Sequence, residues 1–276
     1  MIDAIGFVAR TAVASVLVAL AAPAVAAGPA VPVPSVDVTP HRAVYSMTLA
    51  SAKNSSGVIA AHGALSFEWG DSCDGWTIEQ RYKLQLVFAQ NVEVEITTNY
   101  ITWESKDGTS YRFKVRKTKN GKPEEEISGT AELDGAKGGT ADFTLPARNA
   151  MKLPAGTIFP TQHTLLLLER ARAGDRMVPR VVFDGATAEG ASLVSALIGR
   201  ALPAPEAATD ALLKRPGWAM RMAYFGIDKA DTAEPDYEIG MDLQDNGVAR
   251  GIRLDYTDFS IKGTLEKLEP LAKPPC

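Results

Sequence analysis

The sequence is poor in the residues that most often carry chemistry. It has 3 histidines and 2 cysteines among 276 residues. His41, His62 and His163 lie far apart, and no cysteine stands close to any of them in the chain. That spacing excludes the local Cys/His patterns of structural zinc. There is no G-x-S-x-G around a serine nucleophile, no P-loop and no G-x-G-x-x-G after a strand. No basic stripe stands out among 29 basic and 33 acidic residues, formal net charge −4, which argues against a nucleic-acid partner. The acidic residues are scattered, although distant strands can still bring two carboxylates together. The expectation is a protein that is not an enzyme, with no cofactor and no metal.

An apolar run lies near the start. Arg10 precedes it, it spans Thr11 to Ala22, and Ala24, Val25 and Ala26 follow as a small-residue cleavage site. Residues 1–26 read as a signal peptide for export to the periplasm, and the run is short for a membrane span. An uncleaved anchor is the other reading. No cysteine follows the run, so a lipoprotein is not expected. Residues 27–40 are rich in proline and read as an extended tether. Residues 41–276 read as a single domain.

In an exported chain an even cysteine count points to a disulfide. Cys73 and Cys276 allow one intramolecular pairing. It would close a loop of about 200 residues, which the chain-entropy model values at roughly 5 kcal/mol. Two free thiols or an intermolecular bridge are the other readings.

Most of the remaining chain alternates apolar and polar residues. Ala43, Tyr45, Met47 and Leu49 share one strand face, and Ile59 to Trp69 continue with the same period. The longest alternation runs from Trp76 through Ile78, Tyr82, Leu84 and Leu86 to Phe88. Val92 to Tyr100 and Tyr111 to Val115 follow, and Asn120-Gly121 is a hairpin turn. Later strands are read at Met177–Phe183, Trp218–Tyr224, Tyr237–Leu243, Ile252–Tyr256 and Phe259–Leu268. Residues 191–198 have no clear period. Residues 201–216 read as a loop with one helical turn near Asp210 to Lys214. Long half-buried strands joined by short turns predict an antiparallel meander curled into a β-spiral or incomplete barrel.

One stretch differs. Pro160 suits a first helical turn, Leu165 to Leu168 form an apolar block, and Gly174 is a natural stop. This predicts one central helix over about 160–173, with Leu165 to Leu168 facing the interior and Glu169, Arg170 and Arg172 facing water. His163 lies in its first turn. Its favoured role is structural, bonding a nearby loop carbonyl; a catalytic base is the alternative, though no partner nucleophile is evident. His62 reads as an exposed or hydrogen-bonded strand residue.

Several of these residues together resemble a known family. They are His41, Arg42, Ala43, Val44 and Tyr45; the strand ending Phe67, Glu68 and Trp69; the turn Cys73 to Trp76; Phe159, Pro160, Thr161, Gln162 and His163; and the final Cys276. The chain resembles the envelope integrity protein B (EipB) family of alphaproteobacterial periplasmic proteins, from His41 to Cys276. The resemblance implies a monomeric β-spiral with helical elements, a disulfide between Cys73 and Cys276, and a role in keeping the cell envelope intact under stress. His41, Arg42, Tyr45, Phe159, Pro160 and His163 are its motif residues. No enzymatic reaction comes with it. The expected function is maintenance of envelope integrity by binding a lipid, a lipoprotein or a protein partner on the curled sheet. A pure scaffold without a ligand cavity, and a hydrolase of envelope polymer using His163, are the alternatives.

Overall fold

The structure, a computed structural model, describes residues 36–208, 210–227 and 234–276. The expected leader, most of the tether and much of the polar loop at 228–236 lie outside the described residues. The described residues belong to one compact unit, Pro34–Cys276.

Fifteen strands form one sheet, in the spatial order β8-β7-β6-β5-β4-β3-β2-β1-β15-β14-β13-β12-β11-β10-β9. The first half is a meander: β1 (His41–Ala52), β2 (Val58–Asp71), β3 (Gly75–Phe88), β4 (Glu93–Ser105), β5 (Ser110–Lys119), β6 (Lys122–Leu133), β7 (Gly139–Leu145) and β8 (Asn149–Leu153). The second half is β9 (Thr157–Ile158), β10 (Met177–Val182), β11 (Ser192–Leu202), β12 (Gly217–Gly226), β13 (Tyr237–Gln244), β14 (Ala249–Tyr256) and β15 (Phe259–Pro270). β1 lies between β2 and β15, with His41 opposite Pro270, so the first and last strands join the two meanders. The result is a nearly closed barrel with one seam, between β8 and β9.

The meander follows from the alternation and the turns. Asn120 and Gly121 both take positive φ, 51° and 72°, which the tight β5–β6 turn requires. Three elements depart from the sequence reading, of which β8 has no counterpart in it. The unclear segment 191–198 belongs to β11, with Val194, Ala196 and Ile198 inward. β9 pairs in parallel with β10, Val181 opposite Thr157, so the sheet is not wholly antiparallel. A parallel neighbour requires a crossover, and that crossover is the helix.

The helix α1 spans Pro160–Ala173. Gly174 ends it at φ 88°, its N–H bonding the Ala171 carbonyl at 3.1 Å. Leu167, Leu168 and Ala171 are buried against Val178, Val182, Val194, Ala196 and Ile198, while Leu165 and Leu166 are partly covered. Arg170 is exposed, but Arg172 reaches the Asp245 carbonyl at 3.2 Å, in the β13–β14 turn. That turn is also where Gln244 Nε2 holds the Leu213 and Arg215 carbonyls, each at 2.8 Å. It fastens the 203–216 loop, whose one helical turn is Ala211–Leu213, capped by Asp210.

Candidate functional site

The motif residues do not converge on one place. The structure assembles two separate structural sites from them. The first lies at the start of β1. His41 is fully buried, its Nδ1 2.8 Å from the Thr39 carbonyl and its ring 5.7 Å from that of Phe67. Burial holds its pKa below the usual imidazole value. Tyr45, two turns of the pleat further on the same face, donates its hydroxyl to the Ala249 carbonyl at 2.7 Å. This bond links residues 204 positions apart, reaching from β1 past β15 to the start of β14. Arg42 points the other way, to solvent, and pairs with Glu68 across the β1–β2 ladder at 2.7 Å.

The second site is the start of α1. Phe159 occupies the N-cap position and supplies no side-chain acceptor. The first helical N–H groups therefore need an acceptor from elsewhere. Glu104 of β4 provides it: its carboxylate accepts from the Thr161 N–H at 2.7 Å and the Gln162 N–H at 2.8 Å. Pro160 has no N–H to satisfy. Gln162 then donates to the Lys106 carbonyl at 3.0 Å, and its side chain fills the space beside Gly108, where a Cβ would stand 2.5 Å from Gln162 Cγ. Phe159 is buried and stacks on Tyr111 with ring centroids 4.8 Å apart. The hydroxyls of Tyr100 and Tyr111 lie 2.7 Å apart, and the Asp184 carbonyl accepts from them at 2.6 and 3.0 Å.

Glu104 is 1% exposed. Burial pushes its carboxyl up to about 7, against the two backbone N–H groups, which favour the ionised form. His163 is 3% exposed, and its Nε2 has no hydrogen-bond partner among the described residues. Burial, and secondarily the Arg180 guanidinium, pushes it down to about 4. The expected bond from His163 to a loop carbonyl is therefore not found at Nε2; the carbonyl contact of this motif belongs to Gln162. The reason is helical phase: His163 shares the inward face with Leu167 and Ala171, while Gln162 looks toward the β4–β5 turn.

Glu104 was not singled out from the sequence, although a signal was there. Tyr100, Thr102 and Glu104 continue the inward phase of β4, and a carboxylate in that phase needs a buried partner. His62 is exposed, Nε2 2.9 Å from Gln85 Oε1. Cys73 and Cys276 are joined, their Cα atoms 5.7 Å apart. The bond ties the tail after β15 to the β2–β3 turn.

Neither site is a hollow. Two depressions stand out, about 600 Å3 beside Arg200, Pro203, Asp242 and Arg250, and about 510 Å3 beside Phe143, Arg148 and Asn149. Both are open to solvent and of mixed polarity. Among the described residues no group of three or more His, Cys, Asp or Glu side chains is placed to hold a metal ion. No helix of the described residues is long and apolar enough to cross a membrane.

Known proteins share this fold. A relative from Brucella abortus (strain 2308), named cell envelope integrity protein EipB, is 29% identical over 248 residues, 88% of each chain. The crystal structure of a β-barrel-like protein of a domain of unknown function from Brucella abortus superposes with TM-score 0.78 at 28% identity, covering 86% of this chain and 100% of that one. The EipB-like family model matches residues 33–272, nearly the whole described unit, and the chain belongs to the EipB-like family.

Proposed function

We propose that this chain is a non-catalytic periplasmic protein that maintains the integrity of the cell envelope, and that it acts through its outer surface. Family membership and the name of the Brucella relative support the envelope role. The observation that carries the mode of action is the packing of inward-facing apolar side chains into buried clusters. Leu167 and Leu168 plug one part of the barrel, and Phe113, Phe143, Phe159 and Phe183 pack another. A carrier of an apolar ligand needs a concave apolar chamber, and the depressions described above are open to solvent and of mixed polarity. This favours contact with an envelope component or protein partner on the outside of the sheet. The hydrolase alternative depended on His163, which is buried and holds no nucleophile.

The test is genetic. A strain lacking this gene should become more sensitive to envelope-disrupting detergents. The full chain should restore resistance, and so should the chain carrying His163→Ala. A deletion strain as resistant as its parent would sink the envelope role. Failure of a folded His163→Ala variant alone would revive the catalytic reading.

A further inference from the structure

The outer face of β10 changes character along its length. Met177, Pro179 and Val181 share that face, opposite the inward Val178 and Val182, and Phe183 follows just beyond the strand. Phe183 is fully buried under Phe113 and Phe143 of the first half, which overlaps that end of β10. Val181 is half-buried, Pro179 is exposed and Met177 is 62% exposed. The register places Leu197, 47% exposed, directly opposite Met177, and half-buried Leu193 opposite Val181. On the next strand Phe225 lies opposite Leu193 and Ala223 opposite Ser195. An apolar face thus leaves the aromatic cluster and emerges bare at the seam. Contiguous exposed apolar surface of this kind marks a contact site.

Its surroundings select the partner. Arg176, Arg180 and Arg200 border the bare end, and none has a carboxylate partner among the described residues. Arg176 donates to the Ile198 and Gly199 carbonyls, and Arg180 to the Pro179 carbonyl at 2.7 Å. On the far side Arg221 is already neutralised by Glu238 and Asp255, while Arg200 shares a depression with Asp242.

Strand addition at the β10 edge is blocked. The Phe183 N–H points to β9, so the odd positions of β10 face the open edge. Pro179 has no N–H to offer there, and Arg180 covers its carbonyl. A symmetric dimer through this patch would set the three arginines against their own copies. Apolar side chains beside free guanidinium groups match the interface of an anionic bilayer, where apolar burial and attraction to anionic headgroups add.

We infer that the bare end of the β10–β12 outer face, around Met177, Pro179 and Leu197 with Arg176, Arg180 and Arg200, docks on an anionic lipid surface. This rests on the envelope role proposed above and names its partner. The chain then sits seam-down on a membrane, without inserting a helix.

The experiment is co-sedimentation of the purified, disulfide-bonded chain with vesicles of phosphatidylcholine alone or mixed with phosphatidylglycerol. Binding should be at least about tenfold tighter to the anionic vesicles and should weaken with salt. Met177→Glu with Leu197→Glu should lower it about tenfold, and Arg176→Gln with Arg180→Gln and Arg200→Gln should remove its salt dependence. Ile101→Glu, on the charged face of β4, should leave it unchanged; circular dichroism confirms that each variant is folded. No pelleting, equal binding to both vesicles, or equal loss in Ile101→Glu would overturn the inference. So would a concentration-dependent dimer in sedimentation velocity that Met177→Glu dissociates, which would assign the face to a second copy. If wild-type chain ignores vesicles but restores detergent resistance, the docking inference fails and the envelope role stands. If it binds anionic vesicles as described and does not restore resistance, docking holds and the envelope role fails.

Discussion

The two halves of the sheet solve the same problem in opposite ways. In the first half the outer face is charged. Arg42 pairs with Glu68, Lys83 with Glu95, and Arg116 with Glu126, at 2.7, 2.9 and 3.1 Å. Exposed pairs like these contribute little stability, but they keep a long amphipathic sheet soluble. Around β4 to β7 its interior is aromatic and holds polar groups that need partners: Glu104, Tyr100 and Tyr111. At the seam the second half is reversed. Its interior is aliphatic, made of Val178, Val194, Ala196, Ile198, Met220 and Met222 around the helix. Its outer face at β10 and β11 carries Met177 and Leu197 in the open. The first half fastens the start of α1 through Glu104; the second half packs against its body. The difference separates a half that holds the start of the helix from a half that packs against its body.

The disulfide should show the largest effect on that partnership. Cys73→Ser frees the tail beyond β15 from the β2–β3 turn. It should destabilise the chain by about 2–5 kcal/mol, read as a lower urea midpoint. An unchanged midpoint would mean that the β1–β15 ladder alone fixes the join. Next is the grip of the first half on the helix. Glu104→Ala leaves the Thr161 and Gln162 N–H groups buried without an acceptor, at a cost of about 2–4 kcal/mol. Leaving stability unaltered would show that water replaces the carboxylate.

The two buried titrating groups of this region pull in opposite directions. Glu104 titrates near 7 folded against an ordinary 4.5, so the fold holds its proton longer. Its contribution is complete below pH 4.5 and is lost as pH rises toward 7. His163 titrates near 4 folded against an ordinary 6.5, so its contribution is complete above pH 6.5 and is lost as pH falls toward 4. Between pH 4.5 and 6.5 the two trends oppose each other. In His163→Leu, stability measured by urea unfolding should therefore fall from pH 4.5 to 7. In Glu104→Gln it should rise from pH 4 to 6.5. Identical profiles in the two variants would refute the assignment. The smallest effect belongs to the bare face. Met177→Glu with Leu197→Glu should change folding stability by no more than about 0.5 kcal/mol. A larger loss would mean that this face is packed within the fold.

Much of the architecture was legible in the alternation. Tyr45, Met47, Leu84 and Leu86 are buried where period 2 places them, and α1 occupies 160–173 because Pro160 and Gly174 bracket it. β11 was obscure because Ser192 to Ile198 carries apolar residues on both faces, and β9 because two residues make no pattern. Those two features mark the seam. An apolar outer face erases the period that reveals a strand, so the difficulty in reading β11 was itself a trace of its bare surface. Glu104 was passed over because nothing local to it calls for a carboxylate; its partners lie 57 and 58 residues away.

By itself the sequence determined most of the strands, where the helix begins and ends, and which faces carry charge. These are local matters, decided by side-chain period, by proline and by glycine. The tertiary structure decided which half fastens the helix, why Gln162 rather than His163 holds a carbonyl, and which apolar residues remain uncovered. Those depend on how the sheet curls and where its ends overlap. The outward face of β10 is bare at Met177, while Phe183 just beyond its other end is buried, because the first half covers that end and not the other.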